Sequence, residues 1–383
     1  MDYELTEKQK ELRADMEGFF VREMGRRSAI LENNRRKRAG LMCENLRKLG
    51  ERGYLSLALE GDQIDYCIAG EELAKVCPST FLAAMSSAVS FGVPLMLFGS
   101  EDQKEKYLRP VREAELLGCL ACTESQAGAD IAAIATNAER KDGRWVLRGS
   151  KHIVTNAPIA DLFLVLAWTD KDAGPEKGMT LFVVDRGTRG LKIGKAIETM
   201  GLCGVPTAGI QMRDCILPGD AVLGREGAGY GQFMRIMESM MFSISVLSLG
   251  IGAGAMEEST RYSRERKAFG KAIGLFEGVG AKLATMFTLI DLGRMLVLRA
   301  AWSMASQDGQ QDVLVRCAKL FTSESVNTVT DLGMQIHGGS GYLRGTRIER
   351  YYRDSRFAEI AGCTSEMLRA RIAEDSLDRF RPQ

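Results

Sequence analysis

Histidine is nearly absent: the chain of 383 residues holds two, His152 and His337. A metal centre of the usual histidine-rich kinds is therefore excluded. Charge of one sign is also missing, with 51 lysines and arginines against 50 aspartates and glutamates and a net charge of +1. Such a chain has no global field for nucleic acid or an anionic lipid surface. The N-terminal stretch is acidic and lacks the apolar core of a signal peptide. An uncharged stretch runs from Ser239 to Met256, but it is diluted by serines and glycines. It falls short of the roughly 20 predominantly apolar residues of a membrane span and reads as a closely packed helix inside a bundle. No internal repeat or low-complexity tract is present.

The length predicts two or three domains with a core large enough to need no disulfide or metal. Nine cysteines, an odd number, are scattered from Cys43 to Cys363, which predicts free, mostly buried thiols in a reducing compartment, the cytoplasm. The one close pair, Cys119 and Cys122, has no second pair at zinc-motif spacing, so no metal is expected.

Periodicity divides the chain into three. Residues 1–115 read as helical: Thr6 and Gln9 form a capping box, with Leu12, Met16 and Phe19 following at helical spacing, and Ser100 with Gln103 starts another helix. Residues 116–222 read as short strands punctuated by glycine and proline, with Asp142-Gly143 as a two-residue hairpin turn. This predicts a middle antiparallel β-domain, a barrel or sandwich. Residues 223–383 carry helical patterns over 230–264, 275–306 and 312–337, long enough for a four-helix bundle. The fold class is α+β, mainly α.

Four segments break these patterns: residues 119–130, 149–157, 264–270 and 335–341 with 349–354. The first and last are small-residue turns of the kind that expose backbone N–H groups to an anion or a polar ring. In this order and spacing the four resemble the acyl-CoA dehydrogenase flavoproteins, over essentially the whole chain. The resemblance implies a helical N-terminal domain, a β middle domain and a C-terminal four-helix bundle. It also implies FAD held between the last two, in a homodimer or homotetramer whose neighbouring subunits touch each flavin. Thr123 resembles the residue that bonds the flavin pyrimidine ring, and Thr155 the threonine beside flavin N5. Gly128, Ala129 and Ile153 fall in the same two cofactor loops. Arg266, Phe269 and Glu277 resemble the elements that reach the partner's cofactor. Gln335, Gly338 and Gly339 resemble the loop around the diphosphate, and Thr364 and Glu366 the loop at the adenosine half. Ser86, Ser87, Met240, Met241, Ala361 and Gly362 are expected to line the acyl pocket.

The departures from the family are specific. Ala129 replaces a serine, Ile153 replaces a flavin-shielding aromatic, and Glu277 replaces a glutamine. The acidic, glycine-rich loop before the second N-terminal helix is shortened to residues 59–62. Most members carry the carboxylate that removes the α-proton in the C-terminal loop, where this chain has Gly362. Others carry it on the first bundle helix, where this chain has Met240. A lost general base is worth about 10²- to 10⁴-fold in rate, or roughly 3–5 kcal/mol. Ordinary fatty acyl-CoA oxidation is therefore not expected.

Three explanations stand: a base from elsewhere (Glu238, Glu366 or a Cys363 thiolate), a substrate that supplies its own acidity or base, or a flavin-dependent monooxygenation that needs no α-proton abstraction. Residues 155–166 resemble members from polyketide and related biosynthesis that act on groups tethered to an acyl carrier protein. The expected partners are an acyl-CoA or acyl carrier protein substrate and an electron-acceptor flavoprotein or oxygen. A degenerate, non-redox homologue that binds an acyl carrier is the remaining reading.

Overall fold

The computed structural model describes residues 4–379; the first three residues of the acidic N-terminal stretch lie outside the described residues. Seven helices come first: α1 (Glu7–Asn33), α2 (Arg35–Glu51), α3 (Tyr54–Glu60), α4 (Gln63–Val76), α5 (Pro78–Ser87), α6 (Val93–Phe98) and α7 (Glu101–Arg112). The capping boxes at Thr6 and Ser100 form as the sequence predicts, each with a reciprocal glutamine. Between α5 and α6 the chain makes a π-helical turn, Ala88–Gly92, a feature that often marks functional segments.

The middle region is one curled sheet. Its strands are β1 (Gly118–Ala121), β2 (Asn137–Lys141), β3 (Arg144–Thr155), β4 (Leu162–Trp168), β5 (Met179–Asp185), β6 (Leu191–Ala196) and β7 (Thr207–Leu217), with a short turn of helix α8 (Pro175–Gly178) before β5. The order is β1-β4-β2-β3-β7-β6, with β5 beside β4. The β2–β3 hairpin turns at Asp142 and Gly143, both at positive φ, as a type I′ turn requires. The sheet is not purely antiparallel, contrary to the sequence expectation: β4 runs parallel to both β1 and β2. Hairpin signals reveal only neighbours in sequence, and these pairings cross the sheet.

The chain then returns to helix: α9 (Gly229–Glu265), a small hairpin of β8 (Lys267–Ala268) and β9 (Lys271–Ala272), α10 (Glu277–Ser306), α11 (Gln311–His337), α12 (Arg347–Ile360) and α13 (Ser365–Arg379). The uncharged stretch at Ser239–Met256 lies inside α9, buried almost throughout. Its glycines permit close approach: a Cβ on Gly250 would lie 2.4 Å from the Ala74 Cβ, and one on Gly254 would lie 2.5 Å from the Tyr351 hydroxyl. A longer uncharged stretch, residues 76–100, holds α5, the π turn and α6. Both α9 and the Pro78–Phe98 segment are long and apolar enough to cross a membrane, and 78% of each apolar window is buried within the fold. One core cluster joins the N-terminal helices to the bundle, a second fills the sheet, and a third joins α6, α7 and α9 to the sheet's other face. All nine cysteines are free, five of them buried.

Candidate active site at the meeting of sheet, bundle and C-terminal loop

The loop after β1 is braced from beneath. Glu124 is buried, and its carboxylate accepts from the Ala135 N–H at 2.7 Å, the Thr136 N–H at 3.0 Å, the Thr136 hydroxyl at 2.5 Å and the Lys151 ammonium at 2.9 Å. Lys151 also donates to the Cys122 carbonyl at 2.9 Å. Burial alone would raise the Glu124 carboxyl; Lys151, Thr136 and Ala135 outweigh it and hold it at about 2. Sequence reasoning passed over this pair, although both residues lie inside segments it singled out. The brace shapes what lies above it. Thr123 is half-buried, its carbonyl accepts from the His152 N–H at 2.8 Å, and its hydroxyl has only a 3.8 Å contact with the Cys122 thiol.

Ile153 sits in the register shift between β3 and β7 at φ +51°, 53% exposed. A β-branched residue in the left-handed region is strained, and strain of this kind collects at ligand sites. Two residues on, Thr155 ends β3, and the Ser86 hydroxyl donates to its carbonyl at 3.4 Å. Asn156, at φ +65°, donates from its amide to the Ala83 carbonyl at 2.8 Å. The strand end is thus clamped onto α5. Ser87 is fully buried and accepts from the Gly118 N–H at 3.1 Å. Its oxygen thereby ties the junction of helix and sheet. Ser86 is buried too, and its hydroxyl faces the strand end rather than an open pocket.

The C-terminal loop closes the third side. Gly362 adopts φ +78°, and a Cβ there would lie 2.9 Å from the Ile244 Cδ1 and 3.6 Å from the Met241 Cγ. Gly362 therefore faces the stretch of α9 that carries Met240 and Met241. Met241 is buried beneath the loop; Met240 is half-buried and packs where two core clusters meet. Ala361 and Thr364 are half-buried beside them.

The three alternative bases named from the sequence have distinct surroundings. Burial raises the Cys363 thiol, so a thiolate there is disfavoured. Glu238 pairs with Arg235 at 2.8 Å and lies 4.0 Å from Arg316. Glu366 is exposed in the first turn of α13, where the backbone N–H and the Thr364 hydroxyl lower its carboxyl. Burial, with Asp312 nearby, raises the Glu238 carboxyl above the ordinary value against the pull of Arg235 and Arg316.

The remaining predicted cofactor residues gather elsewhere. Arg266 caps the C-terminal end of α9, 25 residues beyond Met241, which is about 37 Å along a helix. Phe269 and Gly270 form the β8–β9 turn at positive φ, and the Phe269 ring is 95% exposed. Glu277 is the exposed first residue of α10, where a carboxylate favours the helix dipole. Gln335 is exposed, which removes core packing as its role, and its carbonyl accepts the Gly338 N–H at the end of α11. The Tyr262 ring stacks on His337 at 4.3 Å, and its hydroxyl bonds Ser340 at 3.2 Å, joining this end of α9 to the Gly338–Gly339 turn.

The two groups thus lie at opposite ends of the bundle within one chain. Their donors suit a flavin nucleotide. Gly128, Gly338 and Gly339 leave their backbone open, with nothing within 4 Å of where a Cβ would stand. Thr123 has an uncommitted hydroxyl, and Ile153 and Phe269 present strained, exposed apolar faces. FAD bound there would supply hydride-accepting chemistry, and the residues named would hold and orient it.

The chain matches the acyl-CoA dehydrogenase N-terminal domain over residues 6–115, the middle domain over residues 119–215 and the C-terminal domain over residues 227–377. It is 34% identical to the probable acyl-CoA dehydrogenase YngJ of Bacillus subtilis, covering 98% of this chain and 100% of that protein. Butyryl-CoA dehydrogenase from Megasphaera elsdenii superimposes with a TM-score of 0.89 at 31% identity, covering 98% of this chain and 100% of that one. The prolyl acyl carrier protein oxidase AnaB superimposes with a TM-score of 0.91 at 28% identity, covering 97% of this chain and 100% of that one. The chain belongs to the acyl-CoA dehydrogenase family, FAD-dependent enzymes that act on CH–CH bonds.

Proposed function

We propose that this enzyme dehydrogenates an acyl thioester whose α-proton is acidified by the substrate itself, the acyl group being carried by an acyl carrier protein or CoA in a specialised biosynthetic route. The observation that carries the reading is the approach of Gly362 to Ile244 and Met241: at the position where the sequence resemblance implies a carboxylate, a glycine lies against an apolar helix face. With FAD bound to supply hydride-accepting chemistry, such a thioester would give its α-proton to solvent and a hydride from its β-carbon to the cofactor, and the two electrons would pass on to an electron-transferring flavoprotein or to oxygen. The likeness to a carrier protein oxidase supports a tethered acyl group. The opposed placement of the two cofactor-facing groups, and the exposed apolar side chains Phe287, Met295 and Trp302 on α10, support a homodimer or homotetramer in which a neighbour completes each site.

The test is anaerobic bleaching of the flavin spectrum by acyl thioesters on CoA and on a carrier protein. Bleaching by a carrier-bound, α-activated acyl group is expected. Turnover that consumes oxygen only with an external flavin reductant would replace this reading with monooxygenation. A purified protein that takes up no FAD would replace it with non-redox acyl-carrier binding. Met240→Glu is the better companion than Gly362→Glu, because Gly362 is at φ +78° against Ile244 and Met240 sits in regular helix. Oxidation of a simple acyl-CoA appearing only in Met240→Glu is expected.

A further inference from the structure

Three lysines are buried in this fold: Lys75, Lys151 and Lys319. Lys75 pairs with Glu72, Glu17 and Glu257, and Lys151 pairs with Glu124. Lys319, on α11, is fully buried, and its ammonium has no carboxylate within ion-pairing distance among the described residues. It donates instead to the backbone carbonyl of Cys363. Leaving a buried ammonium without a counter-charge is strongly unfavourable, and a methionine of similar length would avoid the cost. The fold therefore carries a local destabilisation at the root of the loop that holds Gly362.

The geometry gives the lysine a task. The Cys363 N–H donates to the Ala361 carbonyl at 2.9 Å, making a tight turn with Gly362 at its apex. That turn is pressed on one side by Ile244 and Met241 and tied on the other by Lys319. A charge-assisted bond to one carbonyl of so short a turn sets the direction of the neighbouring N–H groups.

We infer that Lys319 is a positioning residue: it locks the residue 361–364 turn so that a backbone N–H at Gly362 is held toward the substrate carbonyl. This rests on the thioester reading above for the identity of that carbonyl. A held N–H of this kind stabilises developing negative charge on a thioester oxygen only if its direction is fixed beforehand. The burial that makes the lysine costly also draws its ammonium down to about 8. The charged groups that act on it are Glu359 of α12, Glu366 of α13, Glu324 of its own helix and the Cys363 thiol. It stays protonated at neutral pH.

The test uses Lys319→Met and Lys319→Gln in the FAD-bound enzyme. Three quantities are followed: the thermal midpoint, deuterium exchange at the amides of residues 361–364 without substrate, and anaerobic flavin reduction by a saturating thioester. Lys319→Met is expected to melt no lower than the native enzyme, to exchange the turn amides at least about tenfold faster, and to reduce flavin about 10- to 100-fold more slowly with a smaller change in thioester affinity. Lys319→Gln, which keeps a donor, is expected to recover part of both losses. Native exchange protection retained in Lys319→Met would overturn the inference, as would a rate unchanged in a native enzyme that does reduce. If both variants fail to fold, the lysine is structural and the inference is wrong. If the native enzyme is bleached by no thioester, the thioester reading fails while the exchange measurement still decides whether Lys319 holds the turn.

Discussion

Lys151 and Lys319 are buried ammonium groups at the roots of two loops that carry candidate site residues, and they differ in what meets them. Lys151 ends on Glu124, whose other bonds tie the β1 loop to residues 135 and 136. Lys319 ends on a lone carbonyl. A paired buried charge is a strut whose removal is costly, because the partner is left stranded; an unpaired one is a burden that the fold would shed without loss of stability. The β1 loop therefore owes its shape to a mutually satisfied network. The C-terminal turn is held by a group that makes sense through what it positions.

The largest break in this contrast is Glu124→Ala. It strands Lys151 and is expected to cost about 3–5 kcal/mol in denaturant unfolding. The double variant Glu124→Leu with Lys151→Met is expected to recover most of that loss, and a single variant costing under about 1 kcal/mol would show that the network is not a strut.

The two sites also separate along pH. Glu124 has its carboxyl lowered from the ordinary 4.5 to about 2. Its stabilisation is full above the ordinary value and is lost as pH falls through that window. Lys319 has its ammonium lowered from the ordinary 10.5 to about 8. The unfolded chain then holds more protons between those values, so the native enzyme gains stability relative to Lys319→Met as pH rises from about 8 toward 10.5. Thermal midpoints across both windows, each against its own uncharged variant, check the signs.

A smaller effect tests the turn itself. Gly362→Ala places a side chain at φ +78° and 2.9 Å from the Ile244 Cδ1, with an expected cost of about 1–2 kcal/mol. The smallest is Phe269→Gly. It relieves a positive-φ aromatic, so stability is expected to hold within about 1 kcal/mol, while self-association measured by sedimentation weakens.

Much of the architecture was legible because its signals are local. The capping boxes at Thr6 and Ser100, the Asp142-Gly143 turn and the long helical periods each depend on residues a few positions apart. The proximity of Gly362 to the α9 stretch that carries Met240 and Met241 is a tertiary contact, since Met241 and Gly362 lie 121 positions apart in the chain. Glu124 with Lys151 was missed because an ion pair 27 residues apart leaves no periodic mark. The commitment of Ser87 to Gly118 was missed because nothing in a serine says which backbone N–H it will meet. The uncharged stretch at residues 76–100 was passed over, and the π turn within it has no sequence signature.

By itself the sequence determined the succession of helix, sheet and helix and the family, all carried by spacing and residue identity. Only the tertiary structure decided which buried charges are paired, that Gly362 faces Ile244 and Met241, and that Lys319 has no carboxylate partner among the described residues. Those outcomes depend on distances between elements remote in the chain, and packing alone sets such distances.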